Sequence, residues 1–241
     1  MADFLTRWTV EPHDEIARID DGLLTVAGDM HMRLGRLPRR MTVARLAAGG
    51  TAIWSAIALR EPDMARIEAL GRPTWLIVPG IAHRRDARIW KDRYPAMKVL
   101  CPAGAAKAVA EAVPVDATTD PFGDSAVRFE TVPGLAEVEA ALLVRRAGRL
   151  SLIVNDILAN VRHPHGLGAR AMTRLFGFGR LRPQIPRIVR RRFVKDASAL
   201  AAAFRRWAQQ PDLVRIVPSH GDVIEDEPRA VLTRIASTLE H

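Results

Sequence analysis

Residues 150–156 read Leu-Ser-Leu-Ile-Val-Asn-Asp, an apolar run of strand length that ends in an amide and a carboxylate. Two other runs have the same form: Thr74-Trp-Leu-Ile-Val78 leads to His83, and Leu213-Val-Arg-Ile-Val217 leads to His220. Runs this short, bounded by Pro, Gly or charge, are typical of strands rather than helices. A strand end fixes a side chain in position while the following loop exposes it, so ligands often bind there. The sequence therefore predicts strands that present two imidazoles and one carboxylate.

Other strand-like runs and amphipathic helices surround these three. The further strand runs are Met97–Cys101, Val127–Val132 and Ala140–Val144, and the last two form a predicted hairpin through Pro133-Gly134. The predicted helices run from Pro62 to Leu70, from Gly104 to Val113, from a cap at Asp196 or Ser198 through Trp207, and from Pro228 to Leu239. Strand pairs mixed with strand–helix–strand units indicate mixed sheets. No linker divides the chain, so we expect one domain over residues 1–241.

The composition excludes several classes of protein. The 241 residues are 48% hydrophobic and 26% charged, which is typical of a globular core and not of a disordered chain. No run approaches the ~20 apolar residues of a transmembrane segment, and the N-terminus lacks a secretory signal, so we expect a cytoplasmic protein of bacterial type. The single cysteine, Cys101, excludes an internal disulfide and a thiolate zinc cluster, and it is typical of a small buried hydrophobe.

Common catalytic motifs are absent from the sequence. It has no phosphate-binding loop, no dinucleotide fingerprint, no nucleophile elbow and no His-Glu-x-x-His helix. Taken singly, Asp156 is compatible with capping a turn, His220 with bonding a loop carbonyl, and His83 with a surface position. Taken together, they are the ligand types of a zinc, iron or manganese site. The further pair Asp29 and His31 alternates with methionines, as in a half-exposed strand, which favours a structural role.

The order of these features resembles the metallo-β-lactamase superfamily, and within it a bacterial branch with a reduced metal site. The resemblance covers about Asp21 to Leu239 and rests on Ile53-Trp-Ser-Ala-Ile57, Pro79-Gly-Ile-Ala-His83 with Trp90 and Tyr94-Pro95, Val132-Pro-Gly134 with Glu139, Asn155-Asp156 with Asn160, and Ser219-His220-Gly221. It implies an α+β fold, a four-layer αββα sandwich, with a metal site or its remnant at the upper edge of the two sheets.

The sequence departs from this family at two ligand motifs. The His-x-His-x-Asp-His signature should follow Val78, but the chain offers only His83 and Asp86 there, and the Pro-Gly-His motif is Pro133-Gly134-Leu135. The resemblance therefore implies a degenerate site that holds one zinc, iron or manganese ion, or none. Its ligands would be His83, Asp156 and His220, with Asp156 and His220 as catalytic candidates.

The fourth ligand would be water, or alternatively His163 or His165. In such a site the ion activates water for attack on an ester, thioester or phosphodiester. We therefore expect a hydrolase-like protein that acts on an unknown, anionic small substrate.

Positive charge is concentrated in one segment of the chain. The formal charge is +9, but the acid-free stretch from Ile157 to Lys195 alone carries ten cations, which leaves the rest at −1. We expect residues 162–195 to be a basic helical insertion, for which three roles stay open: a solvated surface, a site for anions, or a membrane-docking face formed by Leu167, Met172, Leu175, Phe176 and Phe178.

A second function is compatible with the same basic segment. A non-catalytic protein could keep the sandwich and use the arginines to hold a nucleic acid, a phosphate ligand or a membrane surface. Aromatic residues make up only 5% of the chain, which disfavours base stacking and hence nucleic acid. In the resembled family, insertions at this place commonly cover the mouth of the site, which implies a lid over an anionic substrate. The oligomeric state stays open.

Overall fold

Two mixed sheets form the centre of the protein. The structure is a computed structural model, and it describes residues 4–32, 35–162, 173–179 and 181–240. The first sheet has the order β1-β2-β3-β4-β5-β6, antiparallel as far as β4 and parallel from β4 to β6. These strands are β1 (Ala17–Asp20), β2 (Leu23–Met32), β3 (Gly35–Arg45), β4 (Thr51–Trp54), β5 (Pro73–Ile77) and β6 (Lys98–Leu100).

The second sheet has four strands in the order β10-β9-β8-β7, of which only β10 and β9 run parallel. They are β7 (Val127–Thr131), β8 (Ala140–Arg146), β9 (Arg149–Asn160) and β10 (Leu213–Gly221). The predicted hairpin is confirmed, since β7 pairs with β8 in antiparallel register. Two of the predicted strands are longer than their apolar runs, because β9 and β10 continue through Asp156 and His220.

Helices cover the outer face of each sheet. They are α1 (Glu61–Leu70), α2 (Ala87–Arg93), α3 (Ala106–Val109), α4 (Arg187–Arg192), α5 (Ala197–Ala208) and α6 (Pro228–Ser237). The predicted cap is Asp196, whose carboxylate accepts a hydrogen bond from the Ala199 amide at 2.9 Å. The prediction of a helix from Gly104 to Val113 was too long: a 3₁₀ turn at Ala103–Ala105 leads into α3, which ends at Val109.

Three apolar clusters establish the layers. The central cluster lies between the sheets and includes Trp54, Ile77, Leu142, Ile153 and Val217. The alternate residues of the same strands point the other way, where one cluster packs under α1 and α2 and another packs under α5 and α6. Strands that are buried on both faces read as continuous apolar runs, which is why they were visible in the sequence. The predicted four-layer αββα sandwich is confirmed.

An ion-pair clamp joins the two sheets at the end opposite His83. Asp20, at the end of β1, is 6% exposed and receives hydrogen bonds from Arg149 of β9 at 2.6 Å and from Arg215 of β10 at 3.0 Å. Burial alone would raise the pKa of Asp20, but the hydrogen bonds and charges of the two arginines lower it from 3.8 to about 2. The two arginines therefore stabilise the ionised form of Asp20 more than its protonated form in the folded chain.

The clamp should weaken in acid. Because the pKa of Asp20 is lower in the folded chain, its contribution to stability is complete above about pH 4 and is lost as the pH falls towards about 2. We expect Asp20→Asn to lower the free energy of unfolding by about 2 kcal/mol at neutral pH and to flatten its acid dependence. Urea denaturation at several pH values measures both effects.

The neighbouring carboxylate provides the matched control. Asp21 pairs with Arg18 and Arg45, and these three side chains are exposed. Asp21→Asn should therefore change stability by less than about 1 kcal/mol. If the free energy of unfolding of Asp20→Asn depended on acid in the same way as that of the unchanged protein, the clamp would not couple the sheets.

The basic insertion is only partly within the described residues. His163, His165, Leu167 and the other residues of 163–172, and Arg180, lie outside them. The described part contains α4, where Val189 is buried and Arg187, Arg190, Arg191 and Arg192 are exposed. No helix in the described ranges is long and apolar enough to cross a membrane.

Candidate functional site

Asp156 lies in a bulge of β9. Val154 pairs with Pro218 of β10 and Ala159 pairs with His220, so residues 155–158 of β9 lie opposite Ser219 alone. A bulge interrupts the regular alternation of a strand and redirects its side chains. The Asp156 carboxylate consequently faces the edge of the sandwich, with 19% of its side chain exposed, instead of joining either apolar layer.

His220 follows Ser219 on β10 and points at the same place. Its Nε2 lies 3.1 Å from Asp156 Oδ1, and its Nδ1 lies 2.7 Å from the carbonyl oxygen of Pro38 on β3. A carbonyl only accepts hydrogen bonds, so Nδ1 carries a proton. In a neutral His220 the Nε2 atom therefore has only its lone pair to direct at Asp156.

His83 approaches from the first sheet. It lies on a 3₁₀ turn, Ile81–Arg84, that follows β5, and its Nε2 is 3.4 Å from the same Asp156 Oδ1. Its Nδ1 is 2.7 Å from the hydroxyl of Ser55, which directly follows β4. Ser55 has a φ of +54°, a left-handed conformation that a serine adopts at a cost and that is often found at functional sites.

These donor atoms fit a metal ion. His83, Asp156 and His220 each offer one ligand atom, and these three atoms lie within 4.8 Å of one another. In the described residues, no other group of three or more His, Cys, Asp or Glu side chains meets this distance. Ligand atoms of a tetrahedral zinc site, with bonds of about 2.0–2.2 Å, lie about 3.3 Å apart. Two of the three separations, those of Asp156 Oδ1 from Nε2 of His220 and of His83, are 3.1 and 3.4 Å and match that spacing.

The charges at the site also favour a cation. Burial alone would raise the pKa of Asp156, but the two imidazoles hold that pKa well below its ordinary value. Burial lowers the pKa of His83; it would also lower that of His220, but the pKa of His220 is raised overall by its contact with Asp156. Either a proton or a metal ion between His220 and Asp156 satisfies both groups, so the two compete for the same position.

A buried carboxylate, Glu139, supports Asp156 from behind. It is 5% exposed, accepts a hydrogen bond from Asn155 Nδ2 at 3.0 Å, and is also hydrogen-bonded by the backbone amide of Asp156. Burial, and then the charge of Asp156, raise the pKa of Glu139 well above its ordinary value. The Gly80 backbone packs directly against both side chains. Glu139 and Asn155 thus position the bulge that carries Asp156.

Gly80 leaves no space for a side chain beside this carboxylate. A Cβ atom there would lie 2.5 Å from Glu139 Oε1 and 2.7 Å from Asn155 Nδ2. We expect Gly80→Ala to lower the free energy of unfolding by about 1–3 kcal/mol, measured by urea denaturation. Glu139→Asp withdraws the carboxylate by one methylene. The double variant, Gly80→Ala with Glu139→Asp, should therefore lose less stability than the sum of the two single variants. If the two single effects add strictly, the contact between Gly80 and Glu139 is not the cause of the loss.

The three side chains form part of the wall of a cavity of about 340 Å³. That volume lies at the small end of the range for ligand pockets, about 300–1,000 Å³. Most of the wall is apolar and comes from Met30, Leu37, Ala56, Ala82, Phe178, Ile188, Val189 and Phe193. The polar wall residues other than the three are Ser55, Arg39, Arg85, Asp86 and Arg192. Five residues of the basic insertion therefore border the site, namely Phe178, Ile188, Val189, Arg192 and Phe193.

The structure brings His83, Asp156 and His220 together, and their role as metal ligands stays a prediction. Asp86 is not in this group, because it is buried in an ion pair with Arg39. His163 and His165 lie outside the described residues, so their proposed role as a fourth ligand also stays a prediction.

The structure also places the other polar candidates of the sequence. Asp29 forms an ion pair with Arg36 at 3.9 Å, and the side chain of His31 is outside the described part. Cys101 is fully buried, and burial raises the pKa of its thiol to about 11, which confirms its character as a small buried hydrophobe.

Sequence reasoning missed two contacts that shape the site, and it predicted Arg192 only as one member of the basic insertion 162–195. The Pro38 carbonyl and the Ser55 hydroxyl orient the imidazoles, and Arg192 borders the cavity. No motif marks a backbone carbonyl. The Ser55 position directly after the β4 run was a usable signal, since polar residues at strand ends had identified the other candidates.

The fold is that of solved metallo-β-lactamase structures. No protein-family model and no curated protein sequence matches the chain. The mono-zinc form of the metallo-β-lactamase FIM-1 from Pseudomonas aeruginosa superposes with a TM-score of 0.61 at 13% identity, over 96% of this chain and 98% of that one. TMB-1 superposes with a TM-score of 0.63 at 12% identity, over 96% and 100%.

A further metallo-β-lactamase, from Erythrobacter litoralis, has a TM-score of 0.61 at 12% identity, over 92% and 96% of the two chains. Identities this low establish the fold alone. The resemblance inferred from the sequence is confirmed at that level: this chain has the metallo-β-lactamase fold over nearly its full length.

Proposed function

We propose that this protein is a metal-dependent hydrolase with a single ion held by His83, Asp156 and His220. One observation carries the proposal: two imidazole nitrogens converge on one oxygen of Asp156, and the nitrogen of His220 directs a lone pair at it whenever that residue is neutral. In that state the lone pair of His220 Nε2 and the Asp156 carboxylate are two acceptors that repel unless a cation lies between them. The fold, which hydrolases with zinc share, supports the same conclusion.

Each ligand has a partner that fixes its orientation. The Pro38 carbonyl accepts a hydrogen bond from Nδ1–H of His220, the Ser55 hydroxyl is hydrogen-bonded to Nδ1 of His83, and the Glu139 carboxylate accepts a hydrogen bond from the backbone amide of Asp156. Such outer contacts set the tautomer and direction of a ligand before the ion arrives. When bound, the ion would supply Lewis-acid polarisation of a substrate oxygen and a lowered pKa for water. The apolar wall around the ligands would exclude bulk water and strengthen these interactions.

Zinc is the first ion to test. Two imidazoles and one carboxylate suit zinc, and also iron and manganese. FIM-1 was solved in a mono-zinc form, which shows that this fold accommodates one ion in that protein. Esters, thioesters and phosphodiesters are the candidate bonds, because each is cleaved by attack of activated water.

We expect purified protein to bind one zinc ion and to lose it after His220→Ala or Asp156→Ala. Each substitution should weaken zinc affinity by more than about 100-fold, since even an outer-contact change typically costs 10–100-fold. His13→Ala is the matched control, because His13 is an equally buried imidazole outside the ligand group, and it should keep the ion. Competition with a fluorescent chelator measures the affinities.

Hydrolysis should depend on the same ion. A panel of aryl esters, thioesters and phosphodiesters should show an activity that a chelator removes and added zinc restores. If zinc, iron and manganese all fail to bind at one equivalent, the enzyme proposal is wrong. The non-catalytic alternative, an anion-binding protein with the same fold, would then be the better description.

A further inference from the structure

A second depression on the surface adjoins the site cavity. This outer groove, of about 630 Å³, is lined by Leu175, Phe176, Arg187, Ile188, Arg191 and Arg192. Ile188 and Arg192 line both spaces, so the groove and the cavity of His83, Asp156 and His220 share part of their wall on α4.

Apolar side chains are exposed at the cavity and at the outer groove. Within the described residues, the exposed large apolar side chains are Val10, Leu175, Leu181 and Ile188, and three of them belong to the basic insertion. Leu175 and Ile188, which border the outer groove, are 67% and 42% exposed. Exposed apolar side chains concentrated at the mouth of a cavity indicate a binding surface for an apolar group.

The positive charge beside the cavity is unevenly compensated. Arg39 and Arg85 are internally paired, Arg39 with Asp86 and Glu11, and Arg85 with Glu11. Arg192 has no carboxylate within 4.0 Å in the described part of the chain, and the insertion from 162 to 195 contains no acidic residue. Among the three arginines of the site cavity, Arg39, Arg85 and Arg192, only Arg192 is therefore available to an external anion in the described part of the chain.

Resting on the proposed function, we infer that the substrate is an anionic amphiphile, an ester of an apolar acyl chain with a negatively charged headgroup. The apolar wall of Phe178, Ile188 and Phe193 holds the chain, and Arg192 binds the negative charge. Hydrolysis adds one water across the ester: the hydroxyl goes to the acyl carbon, and the proton goes to the departing oxygen. The products are a carboxylic acid and an anionic alcohol.

Dodecyl phosphate below its micellar concentration is the probe, with chelator-treated protein and calorimetry. We expect it to bind, while inorganic phosphate and dodecyltrimethylammonium bind at least about tenfold more weakly, because each lacks one half of the recognised structure. Arg192→Gln should weaken the binding of dodecyl phosphate by about tenfold or more, as expected for loss of a charge-assisted hydrogen bond.

Arg190→Gln is the matched control. Arg190 is exposed on the same helix but borders a different depression, with Arg182, Gln184 and Arg234, so its removal should leave binding unchanged. Ile188→Gln should weaken the binding of dodecyl phosphate but leave that of inorganic phosphate unaffected. All four proteins are compared by circular dichroism to verify that they are folded.

Three outcomes would overturn the inference. Equal binding of inorganic phosphate would assign the site to a free anion, and equal binding of the cationic amphiphile would remove the role of Arg192. Binding only to phosphatidylglycerol vesicles, weakened equally by Arg190→Gln and Arg192→Gln, would assign the segment to a membrane surface. Dodecyl phosphate is tested on protein without metal, so a failure to bind it would contradict this inference alone. A failure to bind zinc would contradict the proposed function.

Discussion

A single carboxylate oxygen, Oδ1 of Asp156, is the point on which the site depends. Two imidazole nitrogens face it from opposite sheets, at 3.1 and 3.4 Å, and one of them carries no proton when His220 is neutral. Such an arrangement is unfavourable unless a cation or proton occupies it. The fold maintains it with three partners that hold the ligands from outside, namely the Pro38 carbonyl, the Ser55 hydroxyl and Glu139. These contacts therefore fix the positions of the three side chains in the folded chain itself.

The two sheets must be held at a fixed distance for these contacts to form. Near the site, the Trp54 indole donates a hydrogen bond to Ser219 at 3.0 Å, and Ser219 donates to the Val154 carbonyl at 3.3 Å. This buried chain links β4, β10 and β9 one residue away from His220, and the Asp20 clamp links the same layers at the other end. Polar links within an apolar core cost desolvation, but they specify one sheet alignment where apolar packing alone tolerates several.

The sequence predicted β5 to β10 from their apolar runs, with the polar residues that follow β5, β9 and β10, but it did not predict β1 or the fully buried β4, and it indicated β2 only by the alternation around Asp29 and His31. It did not predict β3, because Gly35–Arg45 contains four arginines and no apolar run. Two of these arginines are used by the fold: Arg39 is buried against Asp86, and Arg40 binds the Gly221 carbonyl at 2.9 Å. The β9 bulge and the Pro38 contact were equally invisible, since both depend on pairing between residues that are distant in the chain. Periodicity reports local burial and carries no information on such pairing.

The ion pairs of the structure separate the positive charges of the chain into two groups. Several arginines in the body of the fold, among them Arg39, Arg149 and Arg215, have acidic partners, so their charges serve the structure. The arginines of α4 have no acidic residue within their own segment, and the helix is anchored by Val189 while the arginines remain exposed. Mutual repulsion of such charges is unfavourable for the isolated chain and is relieved by an anion. The packing of α4 does not use this charge, which agrees with the anion-binding role proposed for Arg192.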